Sequence, residues 1–158
     1  MPPTLAEKVE DFLSHNRIAV AGVSRDGKAT GNAIYKRLRE RGYEVFAVNP
    51  NADEIEGAPC YRSLKTIPGG VDGVIAVTRP EATEQLVRDC VDAGVSRVWM
   101  HHGIHGAGTS VSDPAVDFCK QHNITVIAGA CPLMFGKPSD GFHRLFKRWV
   151  QLTGRLPA

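Results

Sequence analysis

The densest set of groups able to hold an anion lies in one short stretch, Gly22-Val23-Ser24-Arg25-Asp26-Gly27-Lys28-Ala29-Thr30-Gly31-Asn32. Gly22 has no Cβ, so a ligand can approach its backbone closely. Ser24 offers a hydroxyl and a backbone N–H. Arg25 brings a planar fork of donors and Lys28 a point charge, and both neutralise phosphate. A helix starting near Gly31 and Asn32 would add unpaired amides and the positive end of its dipole. The competing reading of the same residues is an ordinary strand-to-helix loop carrying surface cations.

The histidines and cysteines allow other chemistry. His101, His102 and His105 are close together. Neighbouring residues at a strand end point to opposite faces, and no carboxylate or cysteine lies nearby in sequence, so no metal site is expected. A hydrogen-bonding role for His102 fits better, and His143 reads as structural. Cys131 precedes Pro132, where a helix N-terminus would favour a thiolate. An equal alternative is a small side chain filling a tight turn. Asp53, Glu54 and Glu56 read as a solvated turn. No Ser-His-Asp order and no carboxylate pair stands out, so no catalytic residue is singled out.

These residues need a scaffold, and the composition supports one. The chain has 158 residues, 42% hydrophobic and 23% charged, as in an ordinary globular domain. One domain over 1–158 is expected. A formal charge of +2 gives no reason to expect nucleic acid as a partner. The basic residues Arg144, Lys147, Arg148 and Arg155 have the spacing of a solvated helix face. No apolar run approaches the ~20 residues that cross a bilayer, and the N-terminus lacks a secretory pattern. The cysteines Cys60, Cys90, Cys119 and Cys131 form no CxxC pair, which suits a reducing, cytoplasmic setting.

Apolar runs and helical periods alternate along the chain. Thr4 to His15 reads as a helix, with Thr4 and Glu7 as a capping box and Leu5, Val9, Phe12 and Leu13 as its stripe. Strands are expected at Arg17 to Val23, Tyr43 to Val48, Val71 to Val77, Val95 to Met100 and Ile124 to Ala128. Helices are expected at Ala33 to Arg41, Glu81 to Ala93, Pro114 to His122 and about Asp140 to Leu152, with a short helical piece at Ser63 to Ile67. The last helix carries Phe142, Leu145, Phe146 and Trp149, a stripe suited to intramolecular packing or to a dimer contact. The order predicts βαβ units and a doubly wound, Rossmann-like α/β fold with a mainly parallel five-stranded sheet.

In such sheets ligands bind beyond the carboxyl ends of the strands. Those ends are Gly22 to Arg25, Asn49-Pro50, Thr78-Arg79-Pro80, His102-Gly103 and Ala130-Cys131-Pro132. The first turn departs from GxGxxG, with Ser24 in place of the second glycine. The second strand ends in Asn49-Pro50 rather than the acid that holds an NAD ribose. Loss of that charge suits a phosphorylated ribose, as in coenzyme A or NADP.

The runs IAVAGVSRD, GYEVFAVNPNADEIEGAPCYRSLKTIP, VDGVIAVTRPE, VWMHHGIH and ITVIAGACPLM together resemble the stand-alone CoA-binding domain family. That family is related to the N-terminal domain of the succinyl-CoA synthetase α subunit and of NDP-forming acyl-CoA synthetases. The resemblance implies CoA phosphates at Gly22, Val23, Ser24 and Arg25, and adenosine near Asn49 and Pro50. It implies that Val77, Thr78, Arg79 and Pro80 line the nucleotide or pantetheine side. His102 and Gly103 match the fourth strand-end motif, and Cys131 matches the cysteine after the fifth strand; a place for Cys131 near the CoA thiol, where it could form a mixed disulfide, is a separate expectation. Two adjacent histidines before Gly103 and the tail after Cys131 depart from the pattern. The relatives' ligase chemistry uses further domains, so the expectation is a non-catalytic binder of CoA or acyl-CoA. Its partners would be the nucleotide ligand, with neither nucleic acid nor membrane, and a homodimer or an acyl-CoA-using protein. An NADP-dependent oxidoreductase and a ligand-free interaction module are the alternatives.

Overall fold

The computed structural model describes residues 2–103 and 108–135. The expected helix over 140–152, His105, His143 and the basic residues 144–155 lie outside the described residues.

The chain opens with α1 (Leu5–Ser14), whose capping box is present: Glu7 N–H donates to the Thr4 hydroxyl, and Thr4 N–H to the Glu7 carboxylate. Then follow β1 (Arg17–Ala21), α2 (Thr30–Glu40), β2 (Glu44–Val48), β3 (Glu54–Ile55) and β4 (Ala58–Tyr61). A 3-10 turn at Leu64–Thr66 leads to β5 (Gly73–Ala76), α3 (Pro80–Asp92), β6 (Arg97–Met100), α4 (Asp113–Gln121) and β7 (Thr125–Ala128). A second 3-10 turn covers Pro132–Met134.

The strands form one sheet in the order β3-β4-β2-β1-β5-β6-β7, parallel except where β3 meets β4. The five expected strands are β1, β2, β5, β6 and β7. Seven strands rather than five correct the expected count. The extra pair spans only two and four residues, too short to show alternation, and β4 contains Pro59. It closes through Glu56 and Gly57, both at positive φ (54° and 71°), the backbone of a mirror-image hairpin turn.

The sheet is covered on both faces, which explains why its strands are continuously apolar. Alternate side chains enter opposite layers. Ile18, Val20, Ile75, Trp99 and Ile127 pack with Val9, Phe12 and Leu13 of α1 and Ile34, Tyr35 and Leu38 of α2. Ala19, Ala21, Val74, Ala76, Val98 and Met100 pack with Leu86, Val87 and Cys90 of α3 and Ala115 and Cys119 of α4. Trp99 meets Phe12 edge to face at 5.5 Å and donates its indole N–H to Gly129 O at 3.0 Å. The chain order reverses at β1: β2 flanks it on one side and β5 on the other. The helices after β1 and β5 therefore start on opposite faces above the same gap.

Candidate functional site

Two clefts open above the carboxyl ends of the strands, and both are lined by Gly22 and Thr78. The first, about 400 Å³, lies between the ends of β1 and β2 and one face of α3. Val48, Asn49, Pro50 and Arg62 face Ala82, Gln85, Leu86 and Asp89 across it. Those α3 residues have the i, i+3, i+4, i+7 spacing of one helix stripe. The second, about 280 Å³, lies between the starts of α2 and α3. Ala29, Thr30 and Gly31 meet Val77, Thr78, Arg79 and Pro80, with His101 and Gly108, Thr109 and Ser110 completing the wall.

The first turn is held from inside by Asn32, which is fully buried. Its Oδ1 accepts the Ser24 N–H at 2.7 Å and the Ser24 hydroxyl at 3.2 Å; its Nδ2 donates to Ser24 O at 2.9 Å. Nδ2 also donates to Glu56 Oε1 at 3.0 Å, a carboxylate that lies 3.8 Å from Lys36 Nζ. Asp26 closes the outside of the turn, accepting the Ser24 hydroxyl at 2.6 Å and Lys28 N–H at 2.9 Å. These two bonds, Ser24 first, hold the Asp26 carboxyl below its ordinary value. Asn49 Nδ2 donates to Val23 O at 2.9 Å, tying the end of β2 to the same turn.

This geometry corrects several expectations. The N–H and hydroxyl of Ser24 are engaged within the protein, by Asn32 and Asp26. The Asn32 N–H bonds to Ala29 O at 3.0 Å, and its side chain holds the loop. A Cβ on Gly22, at φ +98°, would overlap the Val77 carbonyl, so its missing side chain admits a neighbouring strand end. A Cβ on Gly31 would come 2.5 Å from Gly22 O, so these two glycines set the approach of α2 to β1. Glu56 is no solvated turn residue: its side chain is 20% exposed, whereas Asp53 and Glu54 are exposed as expected.

The cations are placed differently. Arg25, Lys28 and Arg79 are exposed, and no ion pair engages them among the described residues. Arg62 lies on the first cleft and pairs with Asp53 at 2.8 Å, which holds the Asp53 carboxyl low. No side-chain bond caps the start of either α2 or α3, and residues of both starts line the second cleft. Thr78 is fixed there by its N–H to the Ser110 hydroxyl at 2.9 Å and by its hydroxyl against that of Thr83 at 2.7 Å.

The two histidines do take opposite sides. His101 is buried and lines the second cleft; His102 is exposed and bridges to Thr109. Of the two, His101 and not His102 is among the residues lining the second cleft. Gly103 is buried, its N–H bonded to Gly108 O at 2.8 Å. Cys131 lines neither cleft. Burial raises its thiol pKa, with the Leu133 amide and Arg41 only partly offsetting this, so it is a thiol rather than the thiolate its position suggested.

Sequence reasoning missed Arg62, the α3 stripe, His101 and Ser110. The stripe was legible in the helical spacing of Ala82, Gln85, Leu86 and Asp89. Ser110 follows a strand end by ten residues and had no signal.

A doubly wound α/β sheet, with both clefts at its switch point, defines a protein of the Rossmann-like class. Residues 16–137 match the family described as "CoA binding domain", and the chain belongs to that family. It is 38% identical over 88 residues to the acetate–CoA ligase [ADP-forming] II subunit alpha of Pyrococcus furiosus, covering 55% of this chain and 19% of that one. It is 30% identical over 129 residues to the Bacillus subtilis protein YneT, covering 82% of this chain and 91% of that one. A solved hypothetical protein of Pyrococcus horikoshii superposes with a TM-score of 0.74 at 25% identity, covering 84% of this chain and 92% of that one. The chain thus spans about a fifth of the ligase subunit and nearly all of YneT. Nothing in the family match supports NADP. No helix among the described residues is long and apolar enough to cross a membrane.

Proposed function

We propose that this chain binds coenzyme A or an acyl-CoA without catalysing a reaction on it. Adenosine would occupy the first cleft against Asn49 and Pro50. The diphosphate would lie over Gly22, Val23 and Ser24 and the start of α2, where Arg25 and Lys28 reach it and Asn32 holds the loop. Pantetheine would pass Val77, Thr78, Arg79 and Pro80 towards His102, Gly103 and Cys131.

One observation carries this reading. The two clefts share Gly22 and Thr78 at the switch point, and the second gathers two helix N-termini beside exposed arginine. An elongated ligand with a flat apolar end and an anionic middle suits that shape. Family membership makes CoA the ligand of choice. The match to YneT, which this chain covers over 91% of its length, is consistent with such a domain standing apart from the ligase's further parts. Free cysteines at 60, 90, 119 and 131 are consistent with a reducing, cytoplasmic setting. The partner would be an acyl-CoA-using protein or a second copy of this chain.

Thermal unfolding with CoA, acetyl-CoA, NADP and NAD tests the proposal. CoA should raise the midpoint, since a ligand of the native state stabilises it by RT ln(1 + [L]/Kd). Stabilisation by NADP and not by CoA would replace it with the nucleotide-enzyme reading.

A further inference from the structure

The imidazole of His101 is left without a structural role by the fold itself. The residue is 4% exposed. Its backbone is spent on the sheet end: its N–H donates to Ala76 O at 3.0 Å and its carbonyl accepts from Ser110 N–H at 2.8 Å. Its ring, by contrast, has no hydrogen bond or ion pair among the described residues. Yet no fully buried side-chain nitrogen or oxygen among the described residues lacks a partner. The ring nitrogens therefore retain contact with solvent, and His101 is one of the residues lining the second cleft.

We propose that His101 makes ligand binding proton-linked: when a diphosphate fills the second cleft, the imidazole takes up a proton and donates a hydrogen bond to it. This rests on the CoA reading above and adds to it a residue and a pH dependence. Without ligand, burial first and the neighbouring His102 second keep the ring neutral. The positive ends of α2 and α3 act in the same direction. The negative charge of a bound diphosphate opposes these influences by favouring the protonated ring. The other groups of the wall do not compete for the proton. Among the described residues, Arg79 at the start of α3 and His102 are the charged or titratable neighbours, and the rest of the wall carries no titrating side chain.

The probe is dephospho-CoA. CoA's own 3′-phosphate titrates near pH ~6 and would blur the result, whereas the diphosphate does not titrate there. Calorimetry between pH 5.5 and 8 should show binding about tenfold tighter at the acid end, the change one pKa unit brings. Two buffers of different ionisation heat should report net proton uptake. H101Q should bind with little pH dependence, while H122Q, altered on the exposed end of α4, should keep it. The wild-type His101 ring resonance, titrated with and without ligand, gives the same answer if H101Q does not fold. Binding that is independent of pH, or equally dependent in H101Q, overturns the role of His101 and leaves CoA binding intact. Absence of binding by both CoA and dephospho-CoA at every pH overturns the function proposal and this one together.

Discussion

Asn32 grips Ser24 from both sides, accepting its N–H at 2.7 Å and donating to its carbonyl at 2.9 Å. A fully buried amide at the third residue of α2 thus fixes the loop that precedes the helix. The loop's shape is set before any ligand arrives, which reduces the ordering cost of binding.

Asn32→Ala should destabilise the protein by about 1–3 kcal/mol, because it strands the Ser24 N–H and carbonyl. It should also weaken CoA binding more than its loss of stability explains. Denaturant unfolding and calorimetry on the same variant separate the two effects; CoA affinity equal to wild type would show that the loop need not be held.

Glu56→Ala removes the hairpin's carboxylate from Asn32 Nδ2 and Lys36. A drop of about 1 kcal/mol in stability is expected from the lost bond. Glu56→Gln, which keeps an acceptor for Nδ2, should recover most of it. Equal losses in both variants would assign the effect to charge rather than to the hydrogen bond.

Gly22→Ala should be among the most damaging single changes, since its Cβ would overlap the Val77 carbonyl at a backbone angle that L residues rarely adopt. A loss of at least ~2 kcal/mol is expected. A midpoint within a degree of wild type in thermal unfolding would contradict the close packing of β1 against the end of β5.

Arg79→Ala should lower CoA affinity about tenfold if the free guanidinium meets phosphate, and should flatten the dependence of affinity on salt. Arg62→Ala should act mainly through the first cleft, and so should affect CoA more than a ligand lacking adenosine.

His101 also leaves a mark on stability. Its folded pKa lies below the ordinary value of about 6.5, so between those two values the unfolded chain binds more protons. The contribution is complete above pH ~6.5 and is lost as pH falls towards the folded value. Urea midpoints at pH 7.5 and 5.5 should differ less in H101Q than in wild type. By the same logic of burial, the raised Cys131 thiol should react with iodoacetamide at pH 7 more slowly than a free cysteine.

Residue types and order alone determined a great deal. The capping box of α1, the apolar strands and the helix periods are local properties, so they announced the class of fold and the sheet's parallel core. The strand-end rule then pointed to Gly22, Asn49, Thr78 and Arg79, all of which line a cleft. What the chain's order could not express was partnership between distant residues. Only the folded packing brings Glu56 to Asn32 over 24 positions and Ser110 to Thr78 over 32. It also decides which of two adjacent histidines is buried, because that depends on the face each strand end presents, and whether Gly22 makes room for a ligand or for Val77. Hydrogen bonding and close contact act through space, and the sequence states only which groups are available to them.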